Sequence, residues 1–186
     1  MDKTFEEQLA TIQREQRAWA LRNFGKQTTT QMALGLIEEL GEVAEAWMLD
    51  DMLKLLDAIG DVGIYMLNYC NLMGWELPKL FELRQPRDKN AERMPHFVTP
   101  LMRAIAHHQL KGDQNIRGGT EHHNRMMEGV LRNVLFQLDA LAPRAKQGGT
   151  FLIILDLTWQ KVGKRDWVKN PYNADVVAEE QESKHA

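Results

Sequence analysis

Leu36-Ile37-Glu38-Glu39-Leu40-Gly41-Glu42-Val43-Ala44-Glu45-Ala46-Trp47-Met48-Leu49-Asp50-Asp51-Met52-Leu53-Lys54-Leu55-Leu56-Asp57-Ala58-Ile59-Gly60-Asp61-Val62-Gly63-Ile64-Tyr65 is the stretch on which the fold turns. At 100° per residue, Leu36, Leu40, Val43 and Trp47 form one apolar stripe, Glu38, Glu42 and Glu45 lie opposite, and Glu39 sits at the border. By position alone, Glu38 and Glu45 read as a solvated face. After Asp50-Asp51 a second helix places Lys54, Asp57, Asp61, Tyr65 and Asn68 on one narrow face. Its remaining positions, Leu55, Leu56, Ile59, Val62, Met66, Leu67 and Cys70, are apolar nearly all round, as in a buried helix. A polar stripe on a buried helix lines a cavity or meets a ligand. Between residues 38 and 61 there are eight Asp or Glu and one basic residue, Lys54. So much negative charge in so apolar a segment repels itself unless a cation neutralises it. Carboxylates from two facing helices suit a hard divalent ion such as Mg²⁺. Asp57 has a second reading, as the partner of Lys54 on the same helix face.

Helical periodicity extends in both directions. A first helix is expected over about Thr4 to Asn23, with Leu9, Ile12, Gln16, Trp19 and Ala20 on one side and Gly25 as a left-handed cap. Thr28 to Thr30 offer N-caps for the helix that runs to about Met48. Asp50 or Asp51 caps the next, which Gly74 stops after Met73. Pro78, Pro86, Pro95 and Pro100, with the charged run Arg84 to Arg93, then read as a linker carrying one short helix near Pro78 to Leu83. Helices resume over about Thr99 to Lys111, Thr120 to Leu141 and Thr150 to Gly163, the last taking the run FLIILDL as a buried helix for want of a strand partner. Asp57 to Tyr65 can be laid over Glu128 to Phe136, so a degenerate tandem repeat of one helical hairpin is expected.

The chain has 186 residues, 44% of them hydrophobic and 26% charged, and a net charge of −3. These values suit a globular fold with a real core. They offer no global field for nucleic acid or an anionic membrane, and no continuous basic stripe suggests DNA binding. A single cysteine, Cys70, excludes an intrachain disulfide and a cysteine-based zinc site, and fits a reducing cytoplasm. The first residues, MDKTFEEQLATIQREQ, lack an apolar run, so no signal peptide is expected, and no membrane span is expected elsewhere. The polar tail from about Asn173 to Ala186 is expected to fray.

At the acidic helices the sequence resembles the MazG-like all-α nucleoside triphosphate pyrophosphohydrolases, relatives of dimeric dUTPases and dCTP pyrophosphatases. Their pattern is EExxE on one helix and ExxD on the next. Glu38-Glu39-Leu40-Gly41-Glu42 matches the first, and Asp61 matches the aspartate of the second. Ala58 stands where the family has glutamate, leaving Asp57, one position earlier, as the substitute. Gly60, Asp61, Ile64 and Tyr65, the N-terminal Trp19, Asn23, Phe24 and Gly25, and the closing Trp159, Val162, Lys164, Arg165, Asp166 and Trp167 resemble a phage and bacterial subgroup. The resemblance is strongest over residues 15–75.

That resemblance implies Mg²⁺, replaceable by Mn²⁺, on Glu39, Glu42 and Asp61 with Asp57 in reserve. It makes Glu38, Glu39, Glu42 and Asp61 the catalytic carboxylates. The implied reaction cleaves a nucleoside triphosphate to the monophosphate and pyrophosphate, and a pool-sanitising role would follow. Lys54, Tyr65, Asn68, Lys111, Arg117 and Arg165 are the expected substrate-binding residues, Lys111 and Arg117 suiting phosphate oxygens. In that division of labour the first hairpin supplies acids and the second supplies cations. The alternative is a catalytically impaired helical module that binds a nucleotide or a protein.

Two other features are weighed against plainer readings. His107-His108 and His122-His123 are adjacent pairs whose members point about 100° apart, so neither pair is expected to serve one zinc ion by itself; one histidine from each pair with a carboxylate is the arrangement that could, and the pattern offers no supporting partners for it. Trp19, Trp47, Trp75 and Trp159 are expected in the core rather than as stacking platforms for a base. The expected architecture is an all-α, tandem pseudo-dimeric bundle. Residues 1–75 form the acidic half, 76–100 a linker, 101–172 the degenerate half with a basic loop, and 173–186 a tail. The half-repeats could also pair with those of a second copy, giving a homodimer.

Overall fold

The computed structural model describes residues 4–82, 94–147 and 149–171, with side chains of residues 94–96 left out. The expected charged run at 84–93 and the tail at 173–186 fall outside the described residues. What is described is helical, with no strand among the described residues: α1 Phe5–Phe24, α2 Thr29–Met48, α3 Met52–Met73, α4 Leu77–Glu82, α5 Met94–Asp113, α6 Gly119–Ala145 and α7 Phe151–Val162. Among the described residues no helix is long and apolar enough to cross a membrane.

Local chemistry explains most of the boundaries. Thr4 and Thr28 each close a capping box, with Glu7 and Gln31 as the reciprocal partners. Asp51 accepts from the Lys54 N–H, and Thr150 from that of Ile153. Each such cap is worth about 1 kcal/mol. Gly74 ends α3 at φ 70°, ψ 23°, the left-handed cap expected of it. Gly25 differs: its φ is 64° but its ψ is −136°, outside the left-handed helical region, and its N–H still reaches the Leu21 carbonyl at 3.0 Å.

Two helices exceed their expected limits. α5 begins at Met94 rather than Thr99, within the stretch assigned to the linker. Pro95 falls in its first turn, where a missing N–H breaks nothing, and Pro100 costs one helical hydrogen bond. α6 runs through Pro143 to Ala145, its last turns held down by the buried Leu141 and Ala142.

α3 is the central helix, touching α1, α2, α6 and α7. Leu55, Ile59, Val62, Met66, Leu67 and Cys70 are fully excluded from solvent on it. Leu36, Leu40 and Val43 of α2 meet them, as do Phe151, Ile154 and Leu155 of α7. Each fully buried aliphatic side chain contributes about 1.5–3 kcal/mol. The approach of α7 to α3 depends on small residues: a Cβ on Gly60 would sit 1.9 Å from Thr158 Oγ1, and one on Gly63 would sit 2.7 Å from Leu155 Cδ1.

Buried polar contacts fix the neighbours' register. Gln13 on α1 donates to the Trp75 carbonyl at 2.7 Å and accepts from the Leu77 N–H at 2.9 Å. Tyr69 donates to Gln109 at 2.8 Å, and Gln109 in turn donates to Thr29 at 3.0 Å and Asp113 at 2.9 Å, which ties α3, α2 and α5 together.

Candidate functional site

The acidic face of α2 meets the polar stripe of α3 as the periodicity requires. Leu36, Leu40 and Val43 turn inward, while Glu38, Glu42 and Glu45 are exposed and Glu39 is half-buried. On α3 the stripe grades inward, from exposed Lys54 and Asp57 through half-buried Asp61 and Tyr65 to buried Asn68. Tyr65 lies over Gly35, where a Cβ would fall 2.1 Å from its ring, so glycine there lets the tyrosine lie against α2 beside the acids.

The carboxylates feel one another. Burial, followed by Asp61, Glu42, Glu38 and Asp57, pushes Glu39 up to about 8. Burial and then Asp57 push Asp61 up to about 6, with Arg165 and Lys161 pulling it back. Burial raises the Tyr65 hydroxyl, and Glu39, Glu38 and Asp61 raise it further. Glu39 Oε2 is buried without a hydrogen-bond partner. Ala58 is only 2% exposed and packs into the core, so α3 presents no carboxylate one turn before Asp61. Asp57 remains at the surface, 3.5 Å from Lys161, and is the carboxylate whose charge Asp61 feels most.

Beside these acids lies a cavity of about 360 Å³, lined by Glu39, Asp61 and Tyr65 and closed by parts of the chain far away in sequence. One wall is aromatic. Trp19 and Phe24 meet edge to face at 5.4 Å, and Phe24 and Trp167 lie 6.4 Å apart. The segment after α7 is stitched to the end of α1: the Trp19 indole donates to the Arg165 carbonyl at 2.9 Å, and the Trp167 N–H donates to Asn23 at 2.7 Å. The Arg165 side chain faces the same cavity. Amides line it as well: Gln27, Gln31 and Asn68, with Asn68 donating to Gln27 at 2.6 Å.

Of the expected substrate-binding residues, Tyr65, Asn68 and Arg165 line this cavity, whereas Lys54, Lys111 and Arg117 do not. Lys54 is exposed in the first turn of α3. Lys111 bonds to Gln114 at 3.1 Å, and Arg117 is exposed between α5 and α6 with φ 52°. Trp19, expected in the core, is both buried and a cavity wall. Gln27, Gln31 and Met32 were not singled out by sequence; they follow the Asn23-Phe24-Gly25 turn, the nearest signal.

Hard oxygen donors and an unpartnered buried carboxylate oxygen fit a divalent cation. Magnesium keeps several waters and takes one or two carboxylates, so it does not demand a tight all-protein cage. Among the described residues, the trio of ligand atoms within 4.8 Å of one another is formed by His107, His108 and His123 instead of the acids. Those imidazoles lie on α5 and α6: the α5–α6 turn brings His123 to both members of the first pair, a cross-pair grouping in which a third imidazole takes the place expected of a carboxylate. Burial and the three neighbouring imidazoles hold His108 below the usual histidine range.

Comparison of the chain with family models, with curated proteins and with solved structures finds no match.

Proposed function

We propose that the protein is a Mg²⁺-dependent nucleoside triphosphate pyrophosphohydrolase of MazG-like type, built as a tandem pseudo-dimeric bundle. The observation that carries this reading is the pairing of Glu39 and Asp61 across α2 and α3 at the edge of a 360 Å³ cavity with an aromatic wall. The volume falls in the range of small-molecule sites. Glu39, Glu42 and Asp61 would hold the ion, with Asp57 next to them in place of the missing glutamate. The ion, when bound, would polarise phosphoryl oxygens and lower the pKa of a coordinated water.

The chain's own residues supply the rest. Trp19, Phe24 and Trp167 offer faces for a base, and the Gln27, Gln31 and Asn68 amides offer donors and acceptors for its edge. Arg165 supplies a cation on the cavity side of Asp61, suited to a phosphate oxygen. Glu38, the one carboxylate of the expected catalytic four not given to the ion, is exposed beside them and is left to accept a proton from an attacking water. Attack on the α-phosphorus would break its bond to the bridging oxygen and release pyrophosphate.

The test is pyrophosphate release from a panel of nucleoside and deoxynucleoside triphosphates with Mg²⁺ or Mn²⁺. Wild-type turnover that Glu39→Gln lowers on the order of 10²–10⁴-fold is the expected result. No release from any nucleotide, with nucleotide binding intact, would overturn it in favour of a non-catalytic nucleotide-binding module. The lack of a carboxylate at Ala58 is what favours that second reading.

A further inference from the structure

His107, His108 and His123 meet at the base of the α5–α6 hairpin, far in sequence from the acids. Their candidate ligand nitrogens all lie within 4.8 Å of one another. His108 Nδ1 and His123 Nδ1 are 3.0 Å apart. Two nitrogens on one tetrahedral zinc ion, each about 2.0–2.1 Å from it, sit about 3.3 Å apart, so the observed spacing is nearly that of a ligand pair.

His123 carries the argument furthest. It is only 3% exposed, and its Nε2 lies 2.9 Å from the Ile116 carbonyl oxygen. A carbonyl only accepts, so Nε2 must carry the proton and Nδ1 must present its lone pair to the cluster. A ring N–H held by a backbone carbonyl is how metal-binding histidines are oriented.

We infer that His107, His108 and His123 form a transition-metal site, suited to Zn²⁺, that fastens the start of α6 to the end of α5. Neutral imidazoles select zinc-like ions over magnesium. Three protein ligands leave one position of a tetrahedral ion for solvent, and His107 is exposed on that side of the cluster. The site also fixes the loop between the two helices, through the Ile116 carbonyl that His123 holds. It is independent of the acidic cavity, so either can fail without the other.

Tag-free protein stripped with a chelator should be titrated with Co²⁺, followed by visible absorption, and with Zn²⁺, followed by calorimetry. The expected result is one equivalent with the intense bands of tetrahedral cobalt, displaced by zinc. His107→Gln and His108→Gln should each weaken zinc binding by at least about tenfold, and Glu42→Gln should leave it unchanged. Because His107 is exposed, its replacement tests the ligand set without disturbing the core. Absence of cobalt bands and zinc heat would reduce the cluster to an imidazole–imidazole hydrogen bond. Binding that survives both histidine variants, or is lost in Glu42→Gln, would likewise overturn the site.

Discussion

The α2–α3 and α5–α6 hairpins gather opposite kinds of donor. On the first, carboxylates approach one another at the edge of a cavity and raise one another's proton affinity. On the second, imidazoles crowd within 4.8 Å, and burial and its neighbours hold His108 below its ordinary range. Charged oxygens that repel stay spread until a counter-ion draws them in, whereas neutral nitrogens converge without such a cost. One chain thus carries a loose cluster of carboxylate oxygens and a tight cluster of imidazole nitrogens. The same contrast runs through the glycines. Gly35, Gly60 and Gly63 lie under close neighbours, while Gly129 on α6 has nothing within 4 Å of its would-be Cβ.

The contrast can be broken first through its cations. If phosphates bind beside α3 and not beside the α5–α6 loop, Arg165→Ala should raise KM for a nucleoside triphosphate by about 10–100-fold, the worth of a charge-assisted hydrogen bond. Arg117→Ala should change it by less than about twofold. Equal effects in steady-state kinetics would return the phosphates to the second hairpin.

A smaller effect separates the glycines. Gly60→Ala forces Thr158 away and should cost about 1–3 kcal/mol in urea unfolding. Gly129→Ala meets open space on a helix and should stabilise by up to about 1 kcal/mol. A stabilising Gly60→Ala would mean that α7 does not press on α3.

The smallest effect is on the pH profile of stability, measured with a chelator present. Glu39 and Asp61 have raised values in the folded chain, so between roughly pH 4 and 8 the native state holds protons the unfolded chain has released. Stability from this source falls as pH rises through that window, and adding Mg²⁺ should recover it. His108 works in the opposite sense: its value is lowered, so its contribution is full above about pH 6.5 and is lost on acidification. Glu39→Gln should flatten the alkaline limb and His108→Gln the acidic one. A Glu39→Gln profile identical to wild type would show that burial and the neighbouring carboxylates do not raise Glu39.

What the sequence made legible was local or periodic. Thr28 and Asp51 announce their caps, Gly74 its stop, and the spacing of Glu39, Asp61, Tyr65 and Asn68 their shared side. What it hid was long-range. Nothing in the neighbourhood of Trp167 says that it will face Phe24, and nothing near Ile116 says that its carbonyl will set the tautomer of His123. Helical spacing separates His107 from His108 by 100° and lets one of each histidine pair meet, but it does not say that His123 rather than His122 turns inward. Proline misled at Pro95, because tolerance in a helix's first turn depends on packing that composition does not carry.

The stitch between Trp19 and Arg165 also sets a timetable. A ribosome synthesises Asp61 about a hundred residues before Trp167, an interval of roughly 5–20 s at ordinary elongation rates. Throughout that time the growing chain holds its acids without the wall that closes the cavity. The cavity is therefore a property of the finished chain: Glu39 and Asp61 are made before the wall that will face them.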